Sequence, residues 1–342
     1  MSRLVQKAGL NKAGSWPLAL TLVLLTIVFM SAGAMCQDTA DIHIQPRRSP
    51  DAASHAPDPA VRAGLPILKS NVNLVLVPVT VTDPMDRLVT GLDKSNFSVF
   101  QDKQQEQIRN LSSDDAPISV GIIFDVSGSM TDKIQRAREA ISQFLETANP
   151  QDEFFLITFS DRPELVSHFT TRVQDIEGRL PFAQAKGLTA LLDAIYLGLD
   201  EMHHAQYSRK ALLIISDGGD NHSRYTEGEV KDIVQESDVQ VFAIGLYDQF
   251  PRTVEEQQGP GLLHEITDAT GGRAFTIDNP NELADVATKI GIALRDEYVI
   301  AYQPKTRPRD GKYHKITVKL HPPKGLPPLH VSAKRGFYAP SQ

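Results

Sequence analysis

Between residues 118 and 296, short apolar runs alternate with longer segments whose apolar residues recur every three or four positions. The runs 118–124, 154–159, 211–216 and 239–244 are dominated by Val, Ile, Leu, Phe and Ala. Runs this continuous predict strands buried on both faces. Weaker strand signals lie at 164–169 and 273–277. The segments near 132–147, 173–182, 190–203, 227–235, 262–270 and 281–295 read as helices. In the first of them Ile134, Ala137, Ala140, Ile141 and Phe144 fall on one helical stripe. The turn Asp161-Arg162-Pro163 joins two strands in a hairpin, so one edge strand should be antiparallel. The other strands should be parallel, with helices on both faces.

The flanks follow a two-residue period instead. Residues 72–81 and 97–101 look like strands, with the turn Asp83-Pro84-Met85-Asp86-Arg87 and a short helical turn at 92–97 between them. Pro78 demotes the first to an edge or bulged strand. After the α/β region, 298–302, 315–320 and 329–333 are strand-like, separated by turn-rich stretches such as Pro322-Pro323-Lys324-Gly325. Neither flank is large enough to bury a core alone. The expectation is one small β-sandwich, built from 71–114 and 297–342 and interrupted by an α/β domain at 115–296.

The N-terminus reads as an export signal over 1–36: Arg3, Lys7 and Lys12, an apolar core at 18–30, then small residues at 31–34. That core is short for a membrane span, which takes about 20 residues. Extended to 17–35 it allows an uncleaved anchor as the alternative. Cys36 is the only cysteine, so an internal disulfide is excluded. Lipidation of Cys36 is the lesser reading, because Met35 stands where lipoprotein signals resemble one another in having a small residue. Residues 37–70, rich in Pro, Ala, Ser and Asp, predict a disordered linker. The net charge of −7 over 342 residues becomes more acidic still if the signal is removed. With no Lys/Arg cluster, this argues against nucleic-acid binding.

The candidate chemistry lies where the buried runs end. Strand 118–124 runs into Asp125-Val126-Ser127-Gly128-Ser129, which places a carboxylate and two hydroxyls on one tight loop. Lys186-Gly187-Leu188-Thr189 opens another helix with a third hydroxyl, and strand 211–216 ends in Asp217-Gly218-Gly219-Asp220-Asn221. All are hard oxygen donors, which Mg2+ and Ca2+ select. Ligands of open α/β sheets bind at the carboxyl ends of the strands. Singly, each residue has an ordinary role: Asp125 as a turn residue, Thr189 as a helix N-cap with Asp193 in a capping box, Asp217-Gly218 as a turn. The conjunction points to a cation site.

Asp125, Ser127, Ser129, Thr189 and Asp217, in this order and spacing, resemble the metal-ion-dependent adhesion site of von Willebrand factor type A (vWA) domains. The resemblance covers about residues 115–296. It implies a Rossmann-like, doubly wound, mostly parallel domain holding one divalent cation, usually magnesium, with manganese or calcium as alternatives. It further implies that the two serines and the threonine contact the metal, that the aspartates bind directly or through water, and that an acidic group of a partner completes the shell. The flanks, with Val75–Val81 and Lys334–Tyr338, look like those of bacterial proteins with a vWA-related domain. Asp132 stands where integrin-type domains place an acid for a second cation, but Lys133 follows it where those domains have another acid. A helix N-cap is the stronger reading of Asp132.

Other chemistry is weaker. Ser127 could join one of His168, His203, His204, His222 or His264 in a triad, but no Gly-Xaa-Ser-Xaa-Gly elbow surrounds it. Adjacent His203 and His204 do not face one another on a helix. Asp217 and Asp220 would repel a phosphate at Gly218-Gly219, and Gly271-Gly272 reads as a helix end. The expectation is an exported, non-enzymatic binding module, periplasmic or extracellular or held at a membrane by its N-terminus. It would capture a protein or other macromolecular ligand bearing a carboxylate. A structural module braced by a cation is the alternative. A metal-assisted hydrolase is less favoured, because no motif places a base.

Overall fold

The continuous apolar runs become neighbours in one sheet of the computed structural model, which describes residues 74–342 apart from 114, 248–252, 278, 307–308, 340 and 342. The expected signal 1–36 with Cys36, and the linker 37–70, lie outside the described residues. This central sheet contains β4 (Ser119–Asp125), β5 (Glu153–Phe159), β6 (Pro163–Thr170), β7 (Lys210–Ser216), β8 (Gln240–Leu246) and β9 (Ala274–Ile277). Its order is β6-β5-β4-β7-β8-β9. All neighbours are parallel except β5 and β6.

Both faces are covered, which explains the uninterrupted apolar runs. Val120, Ile122, Phe124, Leu213 and Ile215 pack against α1 (Ile134–Glu146) and α6 (Leu283–Asp296). Ile123, Ile157, Leu212 and Ile214 face α3 (Leu191–Glu201), α4 (Glu227–Glu236) and α5 (Val254–Thr270). The helix expected near 173–182 is instead α2 (Val173–Glu177) and a 3-10 turn at Leu180–Phe182, parted by Gly178 and Arg179, with Pro181 inside the turn. Gly271 ends α5 in the left-handed conformation, as a C-terminal glycine should.

The flanks require a correction. The strands β1 (Val75–Thr82), β2 (Phe97–Gln101), β3 (Gln104–Ser112), β10 (Tyr298–Gln303), β11 (Tyr313–Leu320), β12 (His330–Ala333) and β13 (Gly336–Tyr338) form one seven-stranded sheet, ordered β12-β1-β10-β3-β2-β11-β13. Every neighbouring pair is antiparallel. The expected Rossmann-like doubly wound domain inserted in a small β-sandwich is therefore not the architecture. One sheet is curled and wholly antiparallel, the other is mixed, and among the described residues no two flanking sheets face each other. The physical reason is interleaving. Strand β10 from the C-terminal flank hydrogen-bonds between β1 and β3, and β11 pairs with β2. Edges that would have bounded two sheets are joined, and the single sheet curls to cover its own apolar face of Val77, Val79, Val99, Tyr298, Ile300, Tyr302 and Ile316.

Two details follow from this pairing. Strand β1 is interior and not the edge strand that Pro78 predicts: Pro78 is in register with Val299 of β10 and lies one residue before the stretch paired with β12. Strand β3, with mostly polar residues, was not expected at all; it is held by backbone pairing to β2 and β10.

Candidate functional site

The carboxyl ends of β4 and β7 bring the two expected aspartates to one place. Asp125 is the last residue of β4 and is completely buried. Its Oδ1 accepts from the Ser127 backbone N–H at 2.8 Å, and its Oδ2 accepts from the Ser216 hydroxyl at 2.5 Å. The Ser216 Oγ in turn accepts from the Gly218 N–H at 3.0 Å. Thus the end of β7 and the loop after it fix the rotamer of the carboxylate at the end of β4. Ser127 is also fully buried, and its Oγ lies 3.0 Å from that of Ser129.

Thr189 belongs to a loop tied to both neighbours. The Gly128 N–H donates to the Gly187 carbonyl at 3.0 Å, and the Lys186 N–H to the Val126 carbonyl at 2.8 Å. On the other side, the Thr189 N–H donates to Asn221 Oδ1 at 2.9 Å, and its carbonyl accepts from the Asn221 and His222 N–H groups. Asp161 Oδ1 holds the Leu188 N–H at 2.7 Å. The capping box expected of Thr189 and Asp193 is absent: Ala190 precedes α3, and Asp193 accepts instead from Arg224 and the Tyr225 N–H. Asp220 Oδ2 holds the Leu192 N–H in the first turn of α3.

Asp217 is nearly as buried as Asp125. Its Oδ1 is 3.4 Å from the Gly219 nitrogen, while its Oδ2 is buried without a hydrogen-bond partner. The Lys133 ammonium lies 3.8 Å from that Oδ2, within ion-pair reach but too far for a hydrogen bond. Burial, and then the charge of Asp217, push the Asp125 carboxyl up to about 7, against the hydrogen bonds from Ser127 and Ser216. Burial and the same Asp217 charge raise the Tyr247 phenol. The edge therefore collects two mutually repelling carboxylates, the four hydroxyls of Ser127, Ser129, Thr189 and Ser216, and one ammonium.

Sequence reasoning missed several participants. In the sequence Ser216 reads only as the end of a strand, Asn221 only as the end of a turn, and Lys133 only as a departure from a second acid. Asp132 is not the N-cap of α1, which starts after Lys133. Three of the five candidate histidines lie in other contacts, His168 and His204 with Glu201 and His203 with Asp200, while His222 reaches the site only through its backbone N–H on the Thr189 carbonyl. Among the described residues no group of three or more His, Cys, Asp or Glu side chains could hold a metal; the donors here are two carboxylates and hydroxyls.

Comparison with known proteins gives the following. Residues 120–219 match the profile of the von Willebrand factor type A domain. Inter-alpha-trypsin inhibitor heavy chain H4 of Homo sapiens is 28% identical over 135 residues, covering 34% of this chain and 14% of that protein. An uncharacterised protein of Borreliella burgdorferi is 21% identical over 188 residues, covering 48% of this chain and 55% of its own length. The chain thus spans only part of either relative. Among solved structures, a von Willebrand factor type A protein from Catenulispora acidiphila aligns over 78% of this chain and 74% of its own, at 14% identity and a TM-score of 0.46.

Proposed function

The chain carries a von Willebrand factor type A domain, and from that premise we propose an exported protein-interaction module that captures an acidic group of a macromolecular partner through a divalent cation. Asp125, Ser127, Ser129, Thr189 and Asp217 would hold the cation. The observation that carries this reading is the buried Asp217 Oδ2, left without a hydrogen bond beside a second buried carboxylate whose proton affinity is raised. Leaving such an oxygen unpaired is costly unless a cation answers it. The surrounding donors are all oxygens, which suits Mg2+ first, and Mn2+ or Ca2+ also.

Each residue has a defined task in this reading. Ser216 and the Ser127 N–H hold the Asp125 carboxylate in one orientation. Ser127, Ser129 and Thr189 contribute neutral oxygens, so they do not cancel positive charge. The backbone bonds of Thr189 keep its loop between the other two. The cation supplies a positive charge to which a partner carboxylate can bind. The partner is a protein or another macromolecule bearing a carboxylate, and no residue is assigned a catalytic role. Export rests on the N-terminal pattern, with the periplasm or the extracellular space as destination.

Calorimetric titration with magnesium tests the cation site. The wild-type protein should give a saturable isotherm and Asp125→Ala none, with circular dichroism showing the variant folded. An unchanged isotherm in that variant would remove the proposal. A magnesium-dependent pull-down from envelope and extracellular material, lost with chelator and weakened by Thr189→Val, tests partner capture.

A further inference from the structure

We propose that Lys133 is a tethered competitor for the divalent cation: it offsets the charge of Asp217 when the cation is absent and weakens cation binding. The inference rests on the metal reading above and concerns a residue outside that ligand set.

The geometry is specific. Lys133 directly precedes α1, with its N–H on the Met130 carbonyl at 2.9 Å and its own carbonyl accepting from Ala137 at 3.0 Å. Its side chain is 9% exposed and that of Asp217 4%. A buried ammonium needs a counter-charge, and Asp217 is one of the groups it meets. At 3.8 Å the contact is Coulombic only, so Oδ2 is balanced in charge while its lone pairs stay available. This differs from a close, hydrogen-bonded ion pair, which would consume the oxygen.

A cation that takes Asp217 Oδ2 as ligand must approach the same ammonium. Repulsion between two positive charges is strong in a buried site, where solvent screens little. Part of the attraction from Asp125 and Asp217 is therefore already cancelled. Replacing Lys133 by a neutral residue should tighten cation binding and also expose the carboxylate repulsion in the metal-free protein.

The experiment is magnesium titration by calorimetry at low salt, together with thermal melts in chelator and in magnesium, on wild type, Lys133→Met and Lys133→Arg. Lys133→Met should bind magnesium about tenfold or more tightly than wild type. It should melt lower than wild type in chelator and gain more from magnesium. Lys133→Arg, which keeps the charge, should stay within about threefold of wild-type affinity. If Lys133→Met does not fold in chelator, Lys133→Gln, which keeps a polar end, is titrated in its place with the same expectation. Magnesium binding of equal or lower affinity in the neutral variants would overturn this inference while leaving the metal site standing. No magnesium binding by any of the proteins would overturn both.

Discussion

Gly218 carries two constraints at once. Its φ is +75°, and a Cβ there would lie 2.8 Å from the backbone of Gly259 in α5. The loop that follows Asp217 therefore rests directly on a helix backbone, in a conformation that side chains resist. Gly218→Ala is expected to cost about 2–4 kcal/mol, combining left-handed strain with overpacking. Urea unfolding would measure it, and an unchanged midpoint would show that the loop relaxes freely. Thr189→Val should behave in the opposite way. The backbone of Thr189 is already satisfied by Asn221 and His222, so the loss of one hydroxyl should change stability by about 1 kcal/mol or less. Cation affinity, read by the same calorimetry, should fall. A large loss of stability with no change in affinity would assign the hydroxyl to the fold instead.

The strands of the curled sheet are held by contacts between residues far apart in sequence. The buried Tyr298 hydroxyl in β10 accepts from the Leu92 N–H at 2.9 Å and donates to the Val89 carbonyl at 3.0 Å. Tyr298→Phe would strand both groups and should cost about 1–3 kcal/mol, measurable by denaturant unfolding. A pH-dependent link joins β11 to the turn after β2. His314 Nδ1 lies 2.6 Å from Asp102, and Nε2 lies 3.1 Å from Asp310. Burial alone would lower the imidazole, but the hydrogen bonds to Asp102 and Asp310 more than offset it and raise it above its ordinary 6.5. A raised folded-state value means that the contribution is complete below pH 6.5 and is lost as pH rises through the raised value. The wild-type protein should thus lose more stability than His314→Asn between pH values on either side of that window. Parallel pH profiles of the two proteins would sink this assignment.

For the molecule as a whole, the critical region is where the chain passes between the two sheets. It enters β4 after residue 116 and leaves α6 for β10 through Glu297. Arg209, just before β7, donates to the Ala116 and Leu294 carbonyls and pairs with Glu297. Burial raises the Glu297 carboxyl, and Arg209 opposes that shift. Arg209→Met should destabilise the whole protein by about 3–5 kcal/mol, because it leaves a buried acid without its partner. The double variant with Glu297→Gln should recover part of the loss, as a denaturation cycle would reveal. Equal losses in single and double variants would mean that the carbonyl contacts, not the ion pair, hold the crossing.

What the sequence determined by itself was local. A strand covered on both faces must be apolar at nearly every position, so β4, β5, β7 and β8 are legible as continuous runs. The residues at the ends of β4 and β7 are then legible as neighbours on one edge. Asp125 and Asp217 are legible in this way; that they act with Ser127, Ser129 and Thr189 as a cation site is an expectation carried by the resemblance to vWA domains. Tertiary structure decided the rest. The polar strand β3 earns its place through backbone bonds that any sequence can make, so its residues gave no signal. Whether the flanks stack as two sheets or merge into one depends on which edges meet, and strand order is invisible in periodicity. Ser216 beside Asp125, and Lys133 beside Asp217, are pairings between residues 91 and 84 positions apart. Such contacts arise only when separate strands and loops converge, because burial and charge act through space and not along the chain.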